Sequence, residues 1–125
     1  MSRGYRKQFG DWGEQVACDY LEKQGCQILE RNFHTSLGEV DIIAARDGGL
    51  IFVEVKTRAN QSYGYGEDAV TPKKMQSLLQ CVEEYLNNRP EPLPEWQLDL
   101  IVVEGVFGQP DPTLLHYQNL GDFSQ

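Results

Sequence analysis

The sequence predicts an α/β domain, a mixed sheet flanked by helices, and three observations carry that expectation. Two apolar runs, EVDIIAA and LIFVEVK, are separated by Arg46-Asp47-Gly48-Gly49, and Asp-Gly between apolar runs is among the strongest hairpin signals. Stretches with helical periodicity and start signals lie on both sides of that hairpin. A last long apolar run, Trp96 to Val103, follows the second of them. The order is therefore αβββαβ, with a weaker further strand at the end.

Each element has its own justification. Over Gly10 to Gln24, Trp12, Val16, Ala17, Tyr20 and Leu21 fall near helical spacing, and Gly25 supplies a stop. Asp11 can cap this helix, and Glu14 three residues on can complete a capping box. A short strand over Gln27 to Phe33 follows, then strands over Glu39 to Ala45 and Leu50 to Lys56. Residues 57 to 70, TRANQSYGYGEDAV, are aperiodic and long for a loop in a small domain, which marks them as functional. Thr71-Pro72 opens the second helix as cap and first helical residue. Met75, Leu78, Leu79, Val82, Tyr85 and Leu86 form its apolar stripe. A Pro-rich connector, residues 87 to 95, leads to the strand over Trp96 to Val103, and Leu114 to Tyr117 reads as a weaker last one.

Composition narrows the class. At 125 residues the chain is expected to be one domain, 1–125, with 1–9 and 119–125 as loosely ordered tails. Hydrophobic content of 40% and charge of 24% fit a globular protein. No apolar run approaches the ~20 residues of a membrane span, and the polar opening MSRGYRKQFGDWGEQ lacks the apolar middle of a secretory signal. A cytoplasmic location with no membrane partner is expected. Cys18, Cys26 and Cys81 form no CxxC pair, which excludes finger-type metal spacing and a disulfide framework. A net charge of −8 runs against nucleic-acid binding, yet the basic residues cluster: Arg3, Arg6 and Lys7; Lys56 and Arg58; Lys73 and Lys74.

With Asp47-Gly48 as the turn, Arg46 faces Gly49, Asp41 faces Glu54, and Glu39 faces Lys56. Opposed side chains share a face with Cβ atoms about 4.5–5.5 Å apart, and Glu54 and Lys56 share that face too. On an antiparallel strand, Glu and Lys on one face usually form its wet side. Facing acids, however, destabilise a sheet by up to ~1 kcal/mol. A hard divalent cation reverses that sign, because Mg²⁺ sits on carboxylates, water and phosphate. Two acids and a lysine around a metal suit phosphodiester hydrolysis.

GEVDIIA (38 to 44) followed by FVEVKTR (52 to 58) resembles the paired motif of the YraN family of bacterial proteins. That family is similar to Holliday-junction resolvases within the PD-(D/E)XK nuclease superfamily. The similarity extends to GEQVACDYL (13 to 21) and downstream into the second helix, over most of residues 10 to 103. The resemblance implies a restriction-endonuclease-like mixed central sheet flanked by helices. It implies Asp41 and Glu54 as ligands of Mg²⁺ or Mn²⁺, helped by the Val55 carbonyl and by Glu14, and Lys56 as the catalytic amine. Thr57, Arg58, Lys73 and Lys74 would contact the DNA backbone. The implied activity is metal-dependent endonucleolytic cleavage of DNA, including branched DNA, by a homodimer. The chain departs from the family pattern at Gln97 and His34, where relatives often carry Arg.

Several residues keep two readings. Glu14 serves either the capping box or the metal. Lys73 and Lys74 are either exposed cations at a helix start or phosphate contacts. Tyr63 and Tyr65 either pack their loop onto the sheet or stack on bases. Trp12 and Trp96 belong to the core or a dimer contact, and His34 and His116, lacking ligand spacing, carry no assigned chemistry. The rival to an enzyme is a non-catalytic module that keeps the fold and binds nucleic acid or protein.

Overall fold

A computed structural model describes residues 3–60 and 70–120. Helix α1 (Arg3–Lys23) precedes strands β1 (Gln27–Thr35), β2 (Gly38–Arg46) and β3 (Gly49–Arg58). Helix α2 (Pro72–Asn87) is followed by β4 (Trp96–Glu104) and β5 (Thr113–Tyr117). The five strands form one sheet in chain order. Only β3 and β4 run parallel, with α2 on the crossover between them. This is the mixed sheet flanked by helices that the sequence predicts, and the further strand is present as β5.

The hairpin follows its turn chemistry. Asp47 and Gly48 both adopt positive φ, 52° and 83°, as a two-residue type I′ connection requires. The register then runs from Arg46↔Gly49 to Ile42↔Val53. Alternation along the strands divides the core between the two faces. On one face, Ala17, Cys18 and Leu21 of α1 pack on Ile42, Ala44, Val53 and Ile101. On the other, Leu78, Cys81, Val82 and Leu86 of α2 pack on Ile43, Phe52 and Leu98. All three cysteines are free and buried.

Helix α1 is longer than its periodicity predicts. It starts at Arg3, so the described residues 3–9 are helical rather than a loose tail. Lys7 pairs with Asp11 one turn on, at 3.0 Å, so Asp11 stands inside the helix and no capping box forms with Glu14. At the other end, Asn119 and Leu120 are tied back through Asn119 N to Asp99 Oδ1 and Leu120 N to Leu98 O. Tyr63 and Tyr65, most of the long loop and residues 121–125 lie outside the described residues. Trp12 and Trp96 both pack against the sheet, on opposite faces. Among the described residues, no helix is long and apolar enough to cross a membrane.

Helix α2 begins as its sequence predicts. Thr71 is extended (φ −74°, ψ 163°), and its hydroxyl accepts from Lys74 N at 3.1 Å. Thr71→Ala is expected to cost about 1 kcal/mol, read as a lower urea midpoint with an unchanged m-value.

Candidate functional site

The hairpin ladder stops one residue short of the acids. Its last pair is Ile42↔Val53, so Asp41 and Glu54 are not joined by backbone pairing, nor are Glu39 and Lys56. The cause lies in β2. Val40 packs into the α2-side core while Ile42 packs into the α1-side core, although residues two apart on a regular strand share a face. The strand therefore twists at Asp41, and β2 and β3 diverge there. The Asp41 carboxylate enters the fork and accepts from Val55 N at 2.7 Å, replacing the missing ladder bond.

The fork gathers negative charge in a dry place. Burial, then the Glu54 carboxylate beside it, pushes the Asp41 carboxyl up to about 8, against the pull of the Val55 amide. Burial also raises Glu54, while Lys74 opposes that rise. Lys74 Nζ lies 3.5 Å from Glu54 Oε1, and the Glu54 side chain is only 15% exposed. Its second oxygen, Oε2, is buried and receives no hydrogen bond. Glu39 adds its field to both acids from the start of β2 and forms a 2.9 Å pair with His34. A donor-free carboxylate oxygen against a second carboxyl is a costly arrangement in a folded interior.

The other sequence-derived residues are placed unevenly. Lys56 is exposed, two residues beyond Glu54, and forms no ion pair among the described residues. Val55 meets Asp41 through its N–H. Glu14 is 8% exposed and turns to Asn32 Nδ2 at 3.0 Å and Arg31 Nε at 3.6 Å. Burial raises its pKa, and Arg31 and Asn32 hold it back. Among the described residues, no group of three His, Cys, Asp or Glu side chains gathers at one position, while Glu14 adds its field to Asp41.

Thr57 lies under α1, where a Cβ on Gly13 would overlap its Oγ1. One expected backbone contact is corrected. Arg58 is 7% exposed and donates to Glu104 Oε2 at 2.7 Å, so its charge is spent inside the protein. Lys74 is exposed, and its amine also reaches Glu54. Lys73 remains an exposed cation in the first turn of α2.

A second polar cluster escaped sequence reasoning. Asp99 is fully buried on β4 and accepts from Gln97 Nε2, Asn119 N and, at 2.7 Å, His116 Nε2. His116 Nδ1 lies 2.9 Å from Tyr20 Oη, so one neutral tautomer satisfies both contacts. This chain of bonds ties β5 and α1 to β4. The amide of Gln97 also reaches the other Asp99 oxygen at 3.1 Å, so both oxygens are served without an arginine there. The only signal available, an apolar strand interrupted by one Asp, pointed to a buried partner without naming it. A cleft of about 490 Å³ opens at the hairpin tip, lined by Arg46, Gly49, Glu95 and Trp96, at the far end of β3 from Glu54.

Residues 13–103 match the model of a family described as uncharacterised protein family UPF0102. A UPF0102 protein of Syntrophomonas wolfei is 43% identical over 97 residues, 78% of this chain and 84% of that relative. One of Syntrophotalea carbinolica is 46% identical over 84 residues, 67% of this chain and 68% of the relative. A solved structure, Pyrococcus furiosus SfsA in complex with Ca²⁺, aligns over 94% of this chain and 64% of its own, at 14% identity and a TM-score of 0.33.

Proposed function

The chain belongs to the UPF0102 family, and from that premise and the acid pair at the fork we propose a metal-dependent endonuclease that hydrolyses DNA phosphodiester bonds, branched DNA included. The observation that carries this reading is Glu54 Oε2, buried away from any N–H donor and set beside the Asp41 carboxyl. Two carboxyl groups so placed need a positive centre between them. A proton supplies it below about pH 8, and a divalent cation would take the proton's place. The all-oxygen donor set suits Mg²⁺ or Mn²⁺. Asp41 and Glu54 would hold the ion, with the Val55 carbonyl and water completing its shell and Glu14 acting through water. Bound there, the cation would supply Lewis-acid polarisation of a phosphate oxygen and acidify a water.

The chain's own groups have separable tasks. Lys74 fixes one oxygen of Glu54, which leaves the other aimed into the fork. Lys56, exposed and without an ion pair among the described residues, can donate to the attacking water and offset charge growing on the phosphate. Exposed Lys73 and Lys74 would contact the DNA backbone, and a homodimer would present two such forks to a branched duplex.

Incubation with single-stranded, flapped and four-way DNA in Mg²⁺ or Mn²⁺ tests the reading. Lys56→Ala should lower cleavage by at least about a hundredfold, the range for loss of one group that stabilises transition-state charge. Equal cleavage by both proteins would mark a contaminant and sink the assignment. The net charge of −8 favours a second reading, a binding module that keeps the fold without catalysis. That module predicts no gain in thermal stability from millimolar Mn²⁺.

A further inference from the structure

Four aromatic rings gather where the first helix meets the β4–β5 loop. Tyr5 stacks on Phe9 at 6.3 Å and Phe9 on Trp12 at 5.8 Å. Phe107 leans against Tyr5 and Trp12, each at 6.2 Å. The cluster pins the helix to the loop, yet it is not closed. Tyr5 is 40% exposed, Phe107 45%, and the neighbouring Val106 69%. Large open rings on a small domain mark a contact surface more often than a core.

Charge at this place departs from the rest of the molecule. In a chain of net −8, residues 3 to 13 hold Arg3, Arg6 and Lys7 against Asp11 alone. Lys7 is neutralised by Asp11 at 3.0 Å. Arg3 and Arg6 are exposed and form no ion pair among the described residues. Cations in the first turn also work against the helix dipole, so helix stability does not explain them.

The shelf lies on the α1 side of the sheet, near the end of β3 that follows Glu54. Gly13, next to Trp12, lies directly on Thr57, three residues beyond Glu54. Gly105 N donates to Arg58 O at 3.1 Å, which carries the strand end of β3 into the loop that bears Phe107.

We propose that the shelf of Tyr5, Phe9, Trp12 and Phe107 binds an unpaired stretch of DNA strand by base stacking, with Arg3 and Arg6 on its phosphates. Stacking on rings is open to any base, and nearby cations supply the attraction that the acidic surface lacks. The choice of DNA rests on the nuclease reading. It deepens that reading by naming the part of the substrate that is gripped, a single strand at the edge of a duplex.

Binding of a fluorescent thymidine oligonucleotide of about 16 nucleotides tests the proposal, in EDTA so that cleavage plays no part. Tyr5→Ala and Phe107→Ala should each weaken binding by about tenfold, and Trp12 emission should be quenched in the parent. Arg3→Ala with Arg6→Ala should flatten the salt dependence by about 1.4 units of slope. Far-ultraviolet circular dichroism and the urea midpoint check that the variants fold, and Tyr5→Gln, which keeps a polar helix surface, serves if Tyr5→Ala does not. Unchanged affinity in folded variants overturns the proposal. So does a parent dimer that Phe107→Ala converts to monomer without loss of DNA binding, because a second copy would then cover the rings. Metal-dependent stabilisation that survives in these variants shows the failure to be the shelf's alone, and its loss from the parent would strike the fork.

Discussion

Asp41→Asn is expected to lower cleavage by about a thousandfold or more, beyond the cost of one lost charge-stabilising donor, and yet to stabilise the metal-free protein at pH 8. The amide oxygen can still accept from Val55 N, so the fork keeps its shape. What goes is a carboxyl held near 8 in the folded chain, against an ordinary value of 3.8. Below about pH 4 both folded and unfolded chains carry the proton. Between pH 4 and 8 the unfolded chain has released it and the folded chain has not, so the stability this proton confers declines steadily as pH rises and is gone above 8. The parent should therefore lose on the order of a few kcal/mol across that window, shared between Asp41 and Glu54 as a coupled pair. The variant should show a much flatter profile. Ca²⁺ should restore the parent at pH 8 and act weakly at pH 6, where protons compete for the same oxygens. Urea titrations at pH 5, 6.5 and 8, with EDTA or Ca²⁺, read all of this. A parent profile that is flat and indifferent to Ca²⁺ would remove the cation from the fork. A gain in stability with a loss of activity is the usual signature of groups retained for function.

How far this site could be read from the chain alone depends on the kind of order involved. The Asp47-Gly48 turn sets the β2–β3 register through local dihedral chemistry, and Thr71-Pro72 sets the start of α2 in the same way. Those features were legible because a few adjacent residues decide them. The twist at Asp41 was not, because it follows from Val40 and Ile42 choosing opposite cores, a matter of what α1 and α2 bring to each face. Arg3 to Phe9 continue α1 without core-facing periodicity, since their rings meet the β4–β5 loop instead of the sheet. Extending the helix back to Arg3 is also what removes the Asp11–Glu14 capping box. His116 had no neighbours of its own kind in sequence, and its partners Tyr20 and Asp99 are 96 and 17 residues away. Nothing in LIFVEVKTR distinguishes an arginine that reaches outward from one folded onto Glu104.

That arginine carries the second large effect. Arg58 and Glu104 end the parallel strands β3 and β4 at matching positions, and both are 7% exposed. Glu104→Ala leaves a guanidinium buried without its 2.7 Å carboxylate partner, and the expected cost is about 3–5 kcal/mol. Arg58→Ala strands the carboxylate and should cost about as much. Replacing both by apolar residues of similar volume, Arg58→Met with Glu104→Leu, should recover most of the loss, because the pair's attraction roughly offsets the cost of drying it. A double-mutant cycle in urea measures the coupling. The same variants separate an internal pair from a DNA contact. A phosphate-binding arginine would lower affinity and the salt slope at unchanged stability, whereas an internal one lowers the unfolding midpoint, and the Met–Leu protein regains binding along with its fold. Because Lys56 and Thr57 directly precede Arg58 on β3, the pair anchors the strand end that presents the amine proposed to act on the water. Cleavage by the single variants should therefore fall only where they begin to unfold.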